Sequence, residues 1–176
     1  MSQRLRSALR WALPLALLAG LPGAPPVAQT ARERLGEMEL SIDATSWRIE
    51  RPAQHGLKLV PIGEMAKAAG TVVVTQASSR NLADCEAHAR AQLSGFHYDS
   101  PTSAQIEVGG LPAVAMYAPT RCRNATPKGI AVCIPYRGMG YVLVNRIEGC
   151  RTGDGGNPFA GRDWFRGLLE GIRFTQ

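Results

Sequence analysis

Apolar and polar residues alternate over several short runs of this chain, and a period of two is typical of β-strands. Leu40 and Ile42 form one alternating pair, Trp47 and Ile49 form the next, and Pro52 follows. They predict one or two strands that end before Pro52, because proline lacks the N–H group that a sheet ladder needs. Further strands are predicted at 56–62, 71–76, 104–108, 111–118, 130–136, 141–147 and 173–175. The polar and charged residues 31–39 instead indicate a loose segment or one helical turn.

A helical period replaces the alternation after residue 80. Asn81 is a good N-cap, and Asp84, three residues later, resembles the reciprocal residue of a capping box. Gly95 is expected to end this helix, whose apolar stripe is Leu82, Cys85, Ala89, Leu93 and Phe96. A short helix is also predicted over 64–70, with Gly70 as its C-cap.

A C-terminal helix is predicted after Asn157 and Pro158, which suit an N-cap and the first helical position. Its apolar face consists of Trp164, Phe165, Leu168, Leu169 and Ile172.

The second half of the chain has the pattern of an antiparallel meander. Gly109 and Gly110 predict a tight turn, and residues 137–140 predict a second hairpin turn. One face of the last long strand carries Tyr141, Leu143, Asn145 and Ile147. Strands, a helix, a meander and a final helix together predict an α+β domain, in which an antiparallel sheet is packed between helices.

Residues 1–28 have the order of a secretory signal peptide. A basic start precedes a short apolar run at 11–21, and small residues follow, with cleavage expected after Ala24 or Ala28. The apolar run is shorter than a bilayer span, so an uncleaved anchor is the less favoured alternative. We therefore expect a periplasmic or secreted protein. The expected division is a signal peptide at 1–28, a partly loose N-terminal segment at 29–45 and a single α+β domain at 46–176.

The four cysteines are Cys85, Cys122, Cys133 and Cys150, and all lie beyond the leader. An even number in an oxidising compartment predicts two disulfides, with three possible pairings. If the meander strands run up, down and up, the loops that hold Cys122 and Cys150 leave the same end of the sheet. This geometry favours Cys122–Cys150 together with Cys85–Cys133. A local Cys122–Cys133 bridge across the hairpin is the rival pairing.

The order of elements resembles a known superfamily. The strand TVVVTQ leads into the helix NLADCEAHARAQL, a strand and a Gly-Leu-Pro-Ala step at 110–113 follow, and a hairpin precedes a closing helix with the sequence LLEGIRF. Over residues 46–174 this order resembles the PsbP-like superfamily, which includes exported bacterial proteins related to DcrB. The resemblance implies a sheet between helices and roles in binding or assembly rather than catalysis. The four cysteines and the glycine-rich loop at 153–156 depart from the family pattern.

Composition and charge narrow the function classes. Hydrophobic residues make up 45% and charged residues 19%, a balance that excludes an intrinsically disordered chain. The formal net charge is +6, and loss of Arg4, Arg6 and Arg10 with the leader lowers it to +3. Such a charge gives little support to a nucleic-acid partner, and none is expected.

No G-x-S-x-G, H-E-x-x-H or P-loop motif occurs in the sequence. Cys85 and His88 have a spacing that suits metal ligands or a Cys-His nucleophile, but both need a free thiolate. Because Cys85 lies on the apolar stripe, a packed or disulfide-bonded cysteine beside a surface histidine is favoured. The loop at 151–157 lacks the alternating acidic ligands of a calcium-binding EF-hand. The expectation is a non-enzymatic protein without a cofactor or metal site.

Two groups of residues are candidate binding sites. A basic patch near Cys122 and Cys150, suited to an anionic partner, consists of Arg121, Arg123, Lys128, Arg146 and Arg151. Aromatic and methionine side chains around the second hairpin, typical of interfaces, are Tyr136, Met139 and Tyr141. The alternative for the first group is an ordinary solvated loop, and for the second it is packing at the sheet edge.

The leading hypothesis is an exported protein that acts by binding an envelope or secreted protein. A second hypothesis is an inhibitor or immunity protein that neutralises a toxin or hydrolase through the loop at 120–128. A third is a small-ligand or metal-binding protein. No transmembrane span is expected in the mature chain.

Overall fold

A computed structural model of the chain describes residues 29–52, 56–93, 101–118, 129–146 and 162–175. This part of the chain forms ten strands and three helices. The strands are β1 Thr30–Leu35, β2 Met38–Asp43, β3 Trp47–Glu50, β4 Gly56–Pro61, β5 Val72–Ser78, β6 Thr102–Val108, β7 Leu111–Ala118, β8 Gly129–Tyr136, β9 Met139–Arg146 and β10 Ile172–Phe174. The helices are α1 Met65–Ala68, α2 Leu82–Leu93 and α3 Asp163–Glu170.

Seven strands form the main sheet in the order β3-β4-β5-β9-β8-β7-β6, and each neighbouring pair is antiparallel. The predicted meander is confirmed as β6 to β9. Its tight turns lie at Gly109-Gly110 and Arg137-Gly138, and all four residues have positive φ. Two-residue turns of this handedness match the right-handed twist of the strands that they join.

A second sheet has three strands in the order β1-β2-β10. The prediction of a loose segment or helical turn over 31–39 is therefore wrong, because most of it belongs to a β-hairpin. Half-buried Ala31, Glu33 and Leu35 alternate with exposed residues, and β2 satisfies the backbone of β1. Gly36 turns the chain at φ +58°, where a Cβ atom would clash with the side chain of Gln76 and the hydroxyl of Tyr141.

The main sheet is covered on both faces. On one face it packs against the three-stranded sheet and α3, around a core that includes Leu40, Leu57, Leu143 and Phe165. On the other face, Cys85, Ala89 and Leu93 of α2 pack against β7, β8 and β9. The predicted α+β fold class, with antiparallel strands packed between helices, is confirmed. The correction is that ten strands form two sheets rather than one.

Helix ends follow the sequence signals in part. Asn81 Oδ1 accepts the N–H of Asp84 at 2.9 Å, which confirms the predicted N-cap of α2. The carboxylate of Asp84 accepts the N–H of Arg80 at 2.8 Å, one residue before the position that a capping box requires. Gly70 is not the C-cap of α1, since Ala69 already leaves the helix in an extended conformation. The described part of α3 begins at Asp163, and the predicted Asn157 and Pro158 lie outside the described residues, as do Gly95 and Phe96.

Candidate protein-binding surfaces

The strand ends that lead into the predicted basic patch are adjacent. Ala118 at the end of β7 pairs with Gly129 at the start of β8, and Gly129 pairs with Arg146 at the end of β9. The segments 119–128 and 147–161 therefore both begin at one end of the main sheet. Four of the five patch residues, Arg121, Arg123, Lys128 and Arg151, lie outside the described residues, and Arg146 is described by its backbone only.

A disulfide joins Cys85 of α2 to Cys133 of β8, and both residues are fully buried. One of the two favoured bridges is thus present, and the rival Cys122–Cys133 pairing is wrong. Cys122 and Cys150 lie outside the described residues, so their pairing stays a prediction. The bridge also occupies Cys85, so that residue is neither a thiolate ligand nor a nucleophile in this structure.

The aromatic cluster at the second hairpin mainly holds the molecule together. Tyr141 is only 1% exposed, and its hydroxyl oxygen accepts the N–H of Glu37 at 3.0 Å. Half-buried Tyr136 lies 4.7 Å from the ring of Phe174 and donates a hydrogen bond to the carbonyl of Thr175 at 3.2 Å. Met139 is half-buried against the same core. The assignment of Tyr141 to a binding surface is corrected: its ring fills the gap between the two sheets, and a partner cannot reach it.

The tip of this hairpin remains exposed. Arg137 Nη1 lies 3.1 Å from Glu37 Oε1 in an exposed ion pair, and its guanidinium lies 5.3 Å from the centre of the Tyr136 ring. Surface ion pairs of this kind contribute little to stability. Tyr136, Tyr141 and Arg137 therefore connect the β8-β9 hairpin to the β1-β2 turn and to the end of β10.

Two carboxyl groups of the described chain have lowered pKa values. Hydrogen bonds from Ser46 and Thr45 lower the pKa of Asp43, and hydrogen bonds from Lys58 and Arg48 lower the pKa of Glu50. Both carboxyl groups are solvent-accessible and serve local turns and strand pairs. His88 Nε2 lies 2.6 Å from the carbonyl oxygen of Ser78, and within the described ranges no cluster of three His, Cys, Asp or Glu side chains has the arrangement of a metal site.

A groove of about 630 Å³ lies between the edge strand β6 and helix α3. Its walls are apolar at Ile106, Val108 and Leu169, and its charged residues are Glu107, Arg166, Glu170 and Arg173. This groove could not be predicted from the sequence, because it depends on the edge position of β6 and on where α3 packs. The sequence indicated only that residues 104–108 form a strand with a single charged residue, Glu107.

Among the residues described, no helix has the length and apolar character that crossing a membrane requires. No protein-family model and no curated protein matches the sequence. The structure is similar to the solution structure of cyanobacterial PsbP (CyanoP) from Synechocystis sp. PCC 6803, with a TM-score of 0.54 at 9% sequence identity. The match covers 89% of this chain and 99% of that chain.

The fold is PsbP-like. The resemblance expected from the order of elements is therefore confirmed as a resemblance of fold. At such low identity a shared fold does not carry the function of one protein to the other. The PsbP-like fold and the Cys85–Cys133 disulfide are compatible with an extracytoplasmic protein.

Proposed function

We propose that this chain is an exported, non-enzymatic protein of the cell envelope that acts by binding another protein. Three observations support the proposal: the signal-peptide pattern of residues 1–28, the buried Cys85–Cys133 bridge, and a PsbP-like fold. The leader and the bridge favour a periplasmic or secreted location.

The observation that carries the binding role is the register at one end of the main sheet. Ala118, Gly129 and Arg146 are neighbours on three adjacent strands, so the basic segment 119–128 starts beside the segment that holds Arg151. A local excess of positive charge attracts an anionic surface and speeds its encounter. The proposed partner is therefore an acidic envelope or secreted protein.

The test is a crosslinked pull-down of the tagged protein from its native envelope, read by mass spectrometry. Wild type should retain one recurrent partner at near-equal abundance, and the Arg121→Ser/Arg123→Ser double variant should lose most of it. The matched control is Lys67→Ser/Arg80→Ser, which removes two positive charges at exposed positions elsewhere. Equal capture by wild type and R121S/R123S would exclude the basic segments as the binding site.

The identity of the partner separates two versions of the proposal. A structural envelope protein would support an assembly role, whereas a toxin or hydrolase that loses activity in the complex would support an inhibitor or immunity role. If wild type recovers no partner from the native envelope, the binding proposal is wrong, and a small ligand becomes the better hypothesis.

A further inference from the structure

Helix α2 packs on an apolar cluster that is separate from the larger core. Its buried residues Cys85, Ala89 and Leu93 contact β7, β8 and β9 on one face of the main sheet. The larger core, around Leu143 and Phe165, lies on the opposite face, and among the residues described it contains no residue of α2. Lifting α2 from the sheet would therefore leave the larger core closed.

The noncovalent contact between α2 and the sheet is small for a helix of 12 residues. Besides the bridged cysteine, its buried side chains are one alanine and one leucine. Exposed hydrogen bonds add to this contact. His88 Nε2 lies 2.6 Å from the carbonyl oxygen of Ser78, and Ser103 Oγ donates to the carboxylate of Glu86 at 3.3 Å. An isolated helix of this length is marginal in water, so α2 needs its attachment to the sheet in order to stay helical.

The Cys85–Cys133 bond is enclosed between α2 and the sheet, and both cysteines are fully buried. A Cβ atom on Gly140 of β9 would lie 3.1 Å from Cys133 Sγ and 3.3 Å from Cys85 Sγ. Ser79, which is 1% exposed, donates from its Oγ to Cys85 Sγ at 3.5 Å. A thiolate must reach a disulfide sulfur directly in order to exchange with it. Exchange at this bond therefore requires α2 to lift from the sheet.

We propose that α2 is a redox-controlled cover of the main sheet: the Cys85–Cys133 bond holds it in place, and reduction of the bond by a dithiol releases it while both sheets stay folded. One thiolate of the dithiol attacks a sulfur of the bridge and forms a mixed disulfide. The second thiolate then closes the reductant's own disulfide. Two electrons and two protons thereby pass from the dithiol to the bridge, which leaves Cys85 and Cys133 as thiols.

Release of α2 has a defined consequence for the surface of the molecule. The side chains beneath the helix are apolar and buried while the bond is intact, and they are Met116, Ala118, Ala131, Val142 and Val144. Reduction therefore exposes an apolar face of β7, β8 and β9, and reoxidation covers it again.

The test is hydrogen exchange of the purified protein with and without dithiothreitol, followed by mass spectrometry. After reduction, peptides from 82–93 should exchange about tenfold or more faster, whereas peptides from β5 and β9 should change less than about twofold. Cys122→Ala/Cys150→Ala is the matched control and should respond to dithiothreitol as wild type does. Cys85→Ala/Cys133→Ala should exchange rapidly over 82–93 without the reductant and gain nothing from it.

Two results of this experiment would overturn the proposal. Equal protection of 82–93 in the oxidised and reduced proteins would show that noncovalent contacts suffice to hold α2. Equal loss of protection in 82–93, β5 and β9 would show that the bond holds the whole molecule together rather than α2 alone.

A second measurement needs no cysteine variant and keeps the test valid if C85A/C133A does not fold. It is the rate at which dithiothreitol reduces the bridge, followed by alkylation and peptide mapping. Leu93→Ala removes the largest buried side chain of α2 and should speed reduction about tenfold or more. Leu168→Ala, in the larger core, should leave the rate within about twofold. Equal acceleration by both variants would contradict the proposal, because the bond would then be reduced only after global unfolding.

Discussion

At Gly140 the backbone of β9 passes directly over the Cys85–Cys133 bridge. A Cβ atom at this position would lie 2.9 Å from Ser79 Cβ, 3.1 Å from Cys133 Sγ and 3.3 Å from Cys85 Sγ. Glycine is needed here for space, since its φ is not in the left-handed region. By contrast, Gly167 in α3 has no atom within 4 Å of its would-be Cβ.

Alanine substitutions at these two glycines should change the free energy of unfolding in opposite directions. Gly140→Ala should lower the free energy of unfolding by about 1–3 kcal/mol, because the disulfide and the Ser79 side chain must move. Gly167→Ala should raise it by about 0.5–1 kcal/mol, because alanine favours the helix and meets no neighbour. Urea unfolding of the three proteins, followed by circular dichroism, measures both differences. A G140A protein as stable as wild type would contradict the packing described at the bridge.

Single residues also show how far sequence reasoning reaches. Asn81 was identifiable as a cap because its bond to Asp84 is local. The burial of Tyr141 was implied by its place on the same strand face as Leu143, yet its position beside a hairpin turn suggested an interface. What the sequence could not show is Glu37, the distant residue that donates to the Tyr141 hydroxyl.

At the scale of elements, α2 is attached to the main sheet by one covalent bond and a small apolar contact. Cys85, Ala89 and Leu93 are its buried residues, and two of the three have short side chains. Burial of small side chains contributes less free energy than burial of leucine or phenylalanine, so the Cys85–Cys133 bond carries much of the attachment.

Removing that bond should therefore be costly. Replacing both cysteines in Cys85→Ala/Cys133→Ala should lower the free energy of unfolding by about 2–4 kcal/mol, since the bridge closes a loop between residues 48 positions apart. The measurement is the urea midpoint of unfolding, with Cys122→Ala/Cys150→Ala as the control pair. Non-reducing peptide mapping of wild type should recover the Cys85–Cys133 peptide. An unchanged midpoint in C85A/C133A would show that apolar packing alone holds α2.

Most elements were predictable because their signals are local. The β-branched run in β5, the alternation in β9 and the stripe of α2 each identify the element without its partners. Strand β1 was not predicted because its inward face is only weakly apolar. That face consists of Ala31, Glu33 and Leu35, and exposed polar residues alternate with them. Its strand conformation depends on the pairing with β2, and a sequence window does not show that pairing.

At the scale of the whole molecule, two sheets close around one core. The pairing of β10 with β2 joins the two ends of the described chain, and it was invisible to sequence reasoning because only long-range register creates it. The same holds for the edge position of β6, which follows from the complete strand order. The candidate sites were therefore harder to predict than the elements.

The whole chain, with its leader, is predicted to be exported. Expressed with its leader, the protein should reach the envelope fraction, start after Ala24 or Ala28 by intact mass, and contain the Cys85–Cys133 bridge. A variant without residues 1–28 should remain in the cytoplasm with reduced thiols. Recovery of the full-length chain in the cytoplasm, with its leader intact, would contradict the export proposal.

The pairing of β10 with β2 also has a consequence for the order of events during folding. Ile172, Arg173 and Phe174 lie opposite Leu40, Glu39 and Met38, so the three-stranded sheet cannot be completed until the last strand has been synthesised. Contacts between distant parts of a chain slow folding, because a long loop must close before they form. If the chain is exported as proposed, this delay would leave the three-stranded sheet incomplete until β10 has followed the rest of the chain through the translocation channel.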